Sequence, residues 1–438
     1  MQTVLQTLST TIAPAEIRTW DALSDFQQAQ LTRSIRHPDQ IAWVTPTSIE
    51  ELSAIVACAH RNQWRILPCG RASKLHWGGV IDAVTLVVST EKLDRLVEHA
   101  EGDLTVTAEA GISFAKLQSI VGEVGQFCAI DPTGPDQATL GGVIATADTG
   151  SLRHRYNSVR DMLLGVTFVR CDGEIVKAGG RVVKNVAGYD LMKLLTGSYG
   201  TLGILAQATV RVYPIPPVSR SMILMGDPVA LEKVTQTLLS SALTPVSVDL
   251  LSNVITAALG FANTPSLLVR FQSIAESVDQ QIERFTEVGK TLNLSISEPA
   301  DSDLWQQLTE QINLSAQSDQ IVCKIGVKPS EAVSVLNQIS ALLPTAEVLI
   351  HAGSGIGRLS VREARSTQLL EARSICEATG GYLSVLQASI EFKQQLEVWG
   401  YSGNANAKRG ASIDWMKRIK AQFDPQTLFS PHRFVGGI

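Results

Sequence analysis

Three short glycine-bearing segments in the first half of the chain constrain its fold more than any other feature. They lie at 68–74, 139–146 and 197–204. The glycines of the third segment are spaced GxxGxxG and precede a predicted strand. A Rossmann dinucleotide site instead has GxGxxG spacing and opens a helix, so this spacing disfavours that site. The three segments therefore need another explanation.

The first segment follows a predicted strand at 64–67 and is rich in turn-forming residues. A loop that turns its amide N–H groups inward binds a diphosphate as a backbone nest. Arg71 and Lys74 add positive charge, and a charge-assisted hydrogen bond is worth roughly 1.5–3 kcal/mol. An ordinary left-handed turn is the alternative interpretation. The candidate cofactor-binding residues of this loop are Pro68, Gly70, Arg71, Ala72, Ser73 and Lys74.

The second and third segments also favour a bound cofactor. Residues 128–150 are predicted to form a loop that is not hydrophilic, and such a loop in a compact domain is typical of a site. Within it, Gly141 and Gly142 let a flat ring or a pyrophosphate approach the backbone closely, and close strand packing is the alternative. In the third segment, Ile204 opens a strand whose N–H and C=O groups suit an adenine edge.

The chain has 438 residues, which is too many for one compact domain. Apolar residues make up 45% of it and charged residues 18%, so a large core is expected rather than disorder. A proline cluster at 214–217 marks a boundary, after which strand-like and helix-like segments alternate. The predicted organisation is a peripheral segment at 1–35, a first domain at 36–217, a second α+β domain at 218–400, and a segment at 401–438 that packs back on the first domain.

Charge and cysteine spacing exclude several classes of function. The formal net charge is −5 with mixed signs, which gives no general attraction to nucleic acid and no polybasic membrane anchor. The six cysteines lie far apart, which disfavours zinc or iron–sulfur ligation within the chain and suits a reducing cytosol. The N-terminus does not read as a signal peptide, and no run of about 18 apolar residues suggests a membrane span. We therefore expect a cytoplasmic protein.

Over 36–217 the sequence resembles the FAD-binding domain of the vanillyl-alcohol oxidase / p-cresol methylhydroxylase family. The resemblance rests on Pro68–Lys74, Asp131–Pro132, Thr139–Gly142, Tyr156, Arg160–Asp161 and Gly197–Ile204. Within this family the chain is most similar to the E-type FAD-binding subunits of bacterial glycolate oxidases, through Lys184–Leu191 and Phe429–Arg433.

This resemblance implies an α+β fold with two α/β subdomains for FAD and a second α+β domain over the flavin ring. It implies non-covalent FAD whose pyrophosphate is held by the 68–74 loop. The resemblance also implies that Pro132 binds the cofactor and that Thr139, Gly141, Gly142 and Thr146 lie along the flavin and its linker. Gly203 and Ile204 would lie at the adenosine end.

The 68–74 loop departs from the family pattern. Arg71 and Ala72 stand where the family has glycines, so a positive φ at either position would be costly. The loop contains no histidine, so we expect no histidyl–flavin bond. Cys69 is interpreted as a free, partly buried thiol.

The segment 351–358 resembles a decayed HxGDGNxH motif, whose histidines help to build a metal-dependent substrate site in D-type subunits and D-2-hydroxy-acid dehydrogenases. His351 matches the first histidine, whereas Arg358 stands in place of the second. Arginine has no lone pair to offer a divalent metal, so we expect no metal here. His351 is interpreted as a structural residue at a strand end or a catalytic one, and Arg358 is a candidate clamp for a substrate carboxylate.

The leading hypothesis is an FAD-binding subunit of a 2-hydroxy-acid dehydrogenase, glycolate oxidase. Its partners would be a catalytic D-type flavin subunit and an iron–sulfur subunit that receives its electrons, and any association with a membrane would be peripheral and through those partners. Two alternatives stay open. One is a self-sufficient FAD-dependent dehydrogenase of unassigned substrate, and the other is a non-catalytic scaffold subunit that keeps the FAD fold.

Overall fold

The computed structural model describes residues 2–13, 16–181, 189–317, 319–401 and 407–438. The part of the glycolate oxidase resemblance carried by Lys184–Gly188 lies outside these residues. The chain forms two compact units. The first consists of residues 1–149, 158–214 and 401–438, and the second of 150–157 and 215–400.

The first unit contains a four-stranded sheet and a five-stranded sheet. With strands numbered in chain order, the four-stranded sheet is formed by β1 (Ile17–Arg18), β2 (Ala42–Val44), β4 (Leu86–Ser89) and β3 (Ile66–Cys69), in that spatial order. The five-stranded antiparallel sheet is formed by β5 (Leu96–Ala100), β6 (Thr105–Glu109), β10 (Ile204–Arg211), β8 (Leu163–Val169) and β9 (Ile175–Gly179). A separate pair joins β7 (Gln126–Phe127) to β11 (Tyr213–Pro214). In the first sheet β2, β4 and β3 run parallel.

Helices cover these sheets. Those of the first unit are α1 (Gln2–Leu8), α2 (Asp25–Thr32), α3 (Ile49–Asn62), α4 (Phe114–Gly122), α5 (Leu140–Thr146), α7 (Val159–Met162), α8 (Leu191–Leu195) and α16 (Ala407–Phe423). The N-terminal segment, expected to be peripheral, contributes Leu8 and Ile12 to the core beneath α3.

Local signals account for several of these elements. The Ser48 side chain accepts a hydrogen bond from the Glu51 N–H group and begins α3. Asp172 and Gly173 form the tight turn between the antiparallel strands β8 and β9, and Gly173 has φ of 91°.

The prediction of a loop throughout 128–150 is wrong at Leu140–Thr146, which form α5. The Thr139 side chain caps this helix by accepting a hydrogen bond from the Gly142 N–H group at 3.2 Å. The helix packs so closely on the chain at Ala110 that a Cβ atom at Gly141 would lie 2.8 Å from the Ala110 Cβ atom. Tertiary packing and the cap therefore override the weak helix propensity of two adjacent glycines.

The second unit is built on one eight-stranded antiparallel sheet. Its strands, in spatial order, are β15 (Ser295–Ser297), β12 (Val218–Met225), β14 (Ser266–Ser273), β13 (Ser247–Leu251), β17 (Glu347–His351), β18 (Ile356–Val361), β16 (Ile321–Gly326) and β19 (Tyr382–Gln387). Its helices are α6 (Arg153–Tyr156), α9 (Pro228–Ser240), α10 (Asn253–Ala258), α11 (Ala275–Thr291), α12 (Asp301–Gln317), α13 (Ala332–Leu342), α14 (Ser366–Ala378) and α15 (Ile390–Lys393). The mixed helix and sheet content of both units confirms the predicted α+β class.

The two faces of the eight-stranded sheet differ in chemistry. One face is covered by α9, α11, α13 and α14, which pack against its buried apolar side chains. On the opposite face, α10 and α12 bury apolar residues of β12, β13 and β14. Because side chains alternate along a strand, Asp249 and His351 lie on this opposite face, between apolar neighbours that point to the first. We call the part of this face formed by Asp249, His351, Arg358 and Lys324 the polar face.

One segment of the predicted first domain, 150–157, belongs to the second unit. The reason is a buried polar contact, since the Ser151 hydroxyl donates a hydrogen bond to the Asp249 carboxylate in β13. The short helix α6, in the same segment, also packs against β13.

Candidate functional site

The three glycine-bearing segments come together around one pocket in the first unit. The predicted cofactor-binding residues that line it are Pro68, Gly70, Arg71, Ala72, Ser73, Lys74, Thr139, Gly141, Gly142, Thr146, Gly203 and Ile204. The remaining lining residues include Thr90, Ser198, Tyr199, Gly200 and Arg433. Residues separated by more than 100 positions in the sequence thus share one cavity.

Pro132 is not among the described residues that line this pocket, and its contact with the cofactor stays a prediction. It is buried beside Thr133, whose N–H group donates to the Asp148 carboxylate at 2.8 Å. Asp148 also pairs with the buried Lys74 ammonium at 2.9 Å. The 132–133 segment therefore acts on the pocket through Asp148 and Lys74.

The pocket glycines have different functions. A Cβ atom at Gly70 would collide with the Thr139 side chain, and one at Gly141 would collide with Ala110, so both positions need glycine for protein packing. A Cβ atom at Gly142 would meet only the Thr139 Oγ1 atom, at 3.1 Å. The space next to Gly142 is therefore open to a ligand rather than filled by protein.

The loop at 68–74 contains the conformation that the sequence marks as costly. Ala72 has φ of 63°, in the left-handed region that favours glycine. Its side chain is buried in a core that includes Leu67 and Leu75. Burial of the methyl group offsets part of the backbone strain.

Cys69 is a free, half-buried thiol. Burial raises its pKa, with a smaller contribution from the nearby Glu91 carboxylate, so the thiol stays protonated at neutral pH. A protonated thiol is a poor nucleophile. This state fits the interpretation of Cys69 as an unreactive residue of the loop.

The sequence analysis missed one buried cation of the pocket, Arg433. Its guanidinium donates to the carbonyl groups of Lys74, Leu75, Trp77 and Tyr199 at 3.1 to 3.4 Å. Burial lowers its pKa to about 10, so it remains charged at neutral pH. The Phe429–Arg433 motif carried a family resemblance, but nothing in the sequence places it against a loop more than 350 residues earlier.

The polar face of the second unit contains a carboxylate–imidazole pair. The His351 Nδ1 atom lies 2.6 Å from the Asp249 Oδ1 atom, and Asp249 is fully buried. An N–H group at Nδ1 that donates to the carboxylate leaves Nε2 as the acceptor of the ring. In that tautomer the buried carboxylate fixes the orientation of the imidazole ring.

His154 approaches this pair from the 150–157 segment. It packs against Gly353, where any Cβ atom would overlap the imidazole. Burial lowers the pKa of His154, while the Asp249 charge opposes the shift and His351 adds to it. The sequence analysis missed Ser151, His154 and Asp249, although a carboxylate inside the otherwise apolar strand β13 is a signal of a buried polar site.

Two cations lie on the same polar face. Lys324 in β16 is directly opposite Arg358 in β18. On its other side Arg358 pairs with Leu349 of β17, so it is a diagonal neighbour of His351, two residues further along that strand. The Arg358 Nε atom lies 3.5 Å from the Ser360 hydroxyl. The predicted site residues His351 and Arg358 are thus brought together on one sheet face. Among the described residues, no group of three or more histidine, cysteine or acidic side chains is arranged to hold a metal ion.

Comparison with known proteins identifies the cofactor. Residues 41–179 match the family model described as "FAD binding domain". The glycolate oxidase subunit GlcD of Bacillus subtilis is 24% identical over 432 residues, which cover 90% of this chain and 88% of that protein. The glycolate oxidase subunit GlcE of Escherichia coli K12 is 34% identical over 154 residues, which cover 35% of this chain and 43% of that protein.

The chain is an FAD-binding oxidoreductase. A further relative of this oxidoreductase is the mitochondrial D-lactate dehydrogenase (cytochrome) of Arabidopsis thaliana, which is 26% identical over 93% of this chain and 75% of that protein. The crystal structure of p-cresol methylhydroxylase with substrate bound has a TM-score of 0.78 and 14% identity, covering 99% of this chain and 96% of that one, and shows the shared fold. None of the described helices of this FAD-binding oxidoreductase is both long and apolar enough to cross a membrane.

Proposed function

We propose that this chain is the FAD-binding subunit of a 2-hydroxy-acid dehydrogenase, a glycolate oxidase, and that it passes electrons to a partner iron–sulfur subunit. The observation that carries the proposal is the pocket of the first unit, in a chain that is similar to GlcD along most of its length and to GlcE in part. When bound, FAD accepts the electrons that leave the substrate.

The residues of the pocket fit an FAD molecule in three parts. The loop at 68–74 offers backbone N–H groups and is flanked by Lys74 and Arg433, which suits the diphosphate. The open space at Gly142 suits the flavin and its linker, because a ligand approaches the backbone there without meeting a side chain. Gly203 and Ile204 begin β10 and suit the adenosine end.

The cysteines support an external route for the electrons. All six are free, and they lie at 58, 69, 128, 171, 323 and 376 without CxxC spacing. Thiolate ligands for an iron–sulfur cluster therefore come from another chain in this proposal. A D-type flavin subunit and an iron–sulfur subunit are the proposed partners in a cytoplasmic complex, which meets a membrane only through those partners.

A second candidate function is a self-sufficient dehydrogenase, and the polar face of the second unit favours it. Arg358, with Lys324 beside it, suits the carboxylate of a 2-hydroxy acid. His351, oriented by Asp249, suits the proton of the substrate hydroxyl at its Nε2 atom. Together these groups provide the binding and proton transfer that oxidation of a 2-hydroxy acid needs.

Anaerobic titration with glycolate and with D-lactate distinguishes the two candidates. The flavin absorption is followed in the isolated chain and in the complex with its D-type and iron–sulfur partners. The subunit proposal predicts slow bleaching in the isolated chain and much faster bleaching in the complex. Equal rates would favour the self-sufficient dehydrogenase, in which case H351N would slow bleaching by about 10²- to 10⁴-fold. Flavin that is never bleached, in either preparation, would contradict both and favour a scaffold.

A further inference from the structure

We propose that Arg433, near the C-terminus, is a positioning residue of the FAD site, which orders the diphosphate loop and supplies positive charge to it. This inference rests on the proposed placement of FAD in the pocket of the first unit. It assigns part of the cofactor site to a tail that lies more than 200 residues after the last glycine-bearing segment.

Backbone pairing places the tail beside the loop. The Ile66 N–H group donates to the Leu428 carbonyl at 2.8 Å, and the Ser430 N–H group donates to the Ile66 carbonyl at 2.8 Å. The tail therefore runs parallel to β3 at Phe429, next to the strand that leads into the 68–74 loop. The Gly79 N–H group then donates to the Arg433 carbonyl at 2.9 Å, which holds the far side of the loop to the tail.

The guanidinium joins two of the segments that form the pocket. Its Nη2 atom donates to the carbonyl groups of Lys74 and Leu75, both at 3.1 Å. Its Nη1 atom donates to the Tyr199 carbonyl at 3.4 Å, and its centre lies 5.6 Å from the Tyr199 ring. Since the C=O and N–H groups of one peptide point in opposite directions, fixing these carbonyls also fixes the direction of the adjoining N–H groups.

Arg433 also contributes charge. The carbonyl groups of Lys74, Leu75, Trp77 and Tyr199 that its guanidinium contacts carry no net charge. Lys74, the other buried cation that lines the pocket, is paired with Asp148 at 2.9 Å. Arg433 is 5% exposed, and a charge shielded from water acts strongly on a nearby anion. A ligand with a diphosphate therefore gains more from this residue than a ligand without one.

The tail provides a matched control at Lys420. Its ammonium donates to the Thr201 carbonyl at 2.8 Å, to the Phe429 carbonyl at 2.9 Å and to the Asp424 carboxylate at 2.6 Å. Lys420 is buried and anchors the same tail, yet it is absent from the described lining of the pocket. Its replacement loosens the tail without removing charge from the pocket.

The test uses four variants of the full chain: R433M, R433Q, R433K and K420M. Dissociation constants of the apoprotein for FAD, ADP and adenosine are measured by fluorescence, together with thermal unfolding of the apoprotein. We expect R433M and R433Q to weaken FAD and ADP binding by about 30-fold, as for one charge-assisted contact, with adenosine unchanged. R433K keeps the charge and should remain within about 10-fold of the parent in FAD affinity.

K420M should lower the unfolding temperature and leave the ratio of ADP to adenosine affinity unchanged. The inference would be overturned if R433Q bound FAD and ADP as tightly as the parent. It would also be overturned if R433Q and K420M each lost ADP affinity and adenosine affinity to the same extent. If R433M does not fold, the FAD and ADP affinities of R433Q are compared with those of R433K. Full flavin binding by a G142L variant would show instead that the proposed placement of FAD has failed.

Discussion

Gly141 and Gly142 are adjacent, yet the structure gives them opposite functions. Gly141 allows α5 to pack on Ala110, whereas Gly142 faces open space in the pocket. The sequence predicts both as cofactor-binding residues and does not separate them. The two glycines are distinguished only by the direction in which a Cβ atom would point from each of them. That direction depends on the helix α5, which the sequence does not predict.

The first prediction compares alanine at these two positions. G142A should weaken FAD binding by more than about 10-fold while the apoprotein stays as stable as the parent or gains up to about 1 kcal/mol, because alanine favours a helix. G142L should abolish flavin binding. G141A should lower the free energy of unfolding by about 1–3 kcal/mol, because the added methyl group overpacks against Ala110.

Chemical unfolding of the apoproteins and flavin fluorescence titrations provide the two measurements. Unchanged flavin occupancy in G142L, with its fold intact, would show that the flavin lies elsewhere.

The second prediction concerns the strained loop residue. A left-handed conformation costs a residue other than glycine about 1–2 kcal/mol, and removal of the buried Ala72 methyl group costs about 0.8 kcal/mol. A72G should therefore stabilise the apoprotein by up to about 1 kcal/mol. In A108G, at an equally buried alanine of β6 that is not among the left-handed residues, stability should fall instead. Urea unfolding measures the free energy of unfolding of both variants. A decrease in A72G as large as that in A108G would contradict this prediction.

At the scale of elements, the sequence predicts what local patterns determine. The Ser48 cap at the start of the amphipathic helix α3 and the Asp172–Gly173 turn between β8 and β9 are local patterns of this kind. The pairs that build the polar face come from distant positions, such as Ser151 with Asp249 and Asp249 with His351. Such pairs depend on strand register across a sheet, which no local pattern reveals.

The third prediction concerns pH and belongs to the polar face. Burial is the largest effect on His154 and lowers its pKa in the folded protein. Among the charged groups around it, Asp249 raises this pKa, whereas His351 and Arg155 lower it. The unfolded chain then binds the proton more readily, and stability present above about pH 6.5 is lost as the pH falls. H154Q should therefore lose less stability than the parent between pH 7 and pH 5.

Urea unfolding at both pH values measures this difference. A slope against pH that is identical in H154Q and the parent would contradict the third prediction.

The fourth prediction concerns metal and the strands β17 and β18. Arg358 stands at the position of the second histidine in the HxGDGNxH motif that the segment 351–358 resembles, and it offers positive charge instead of a lone pair. Two unit charges 4 Å apart interact by about 4 kcal/mol at an effective dielectric of 20, and a divalent ion doubles this repulsion. Elemental analysis of the purified chain should therefore find no stoichiometric zinc or manganese. One metal ion per chain, lost together with activity in H351A, would contradict this expectation.

At the scale of the whole molecule, the chain divides its chemistry between two units. The first brings 68–74, 139–146, 197–204 and the C-terminal tail to one pocket, although its three chain segments are interrupted by the second unit. The second presents the polar face on a continuous antiparallel sheet. The resemblance carried by the glycine-bearing segments predicts the cofactor from sequence, but the contribution of the tail follows from its pairing with β3.

The central claim is that FAD occupies the pocket of the first unit without a covalent bond. The most direct measurement is the absorption spectrum of the purified chain, followed by acid precipitation and chromatography of the released flavin. The account predicts a yellow protein that releases about one FAD per chain into the supernatant, since the loop offers no histidine for attachment and the thiol of Cys69 stays protonated. Flavin that remains with the precipitated protein, or a released cofactor that lacks the adenosine end, would contradict it.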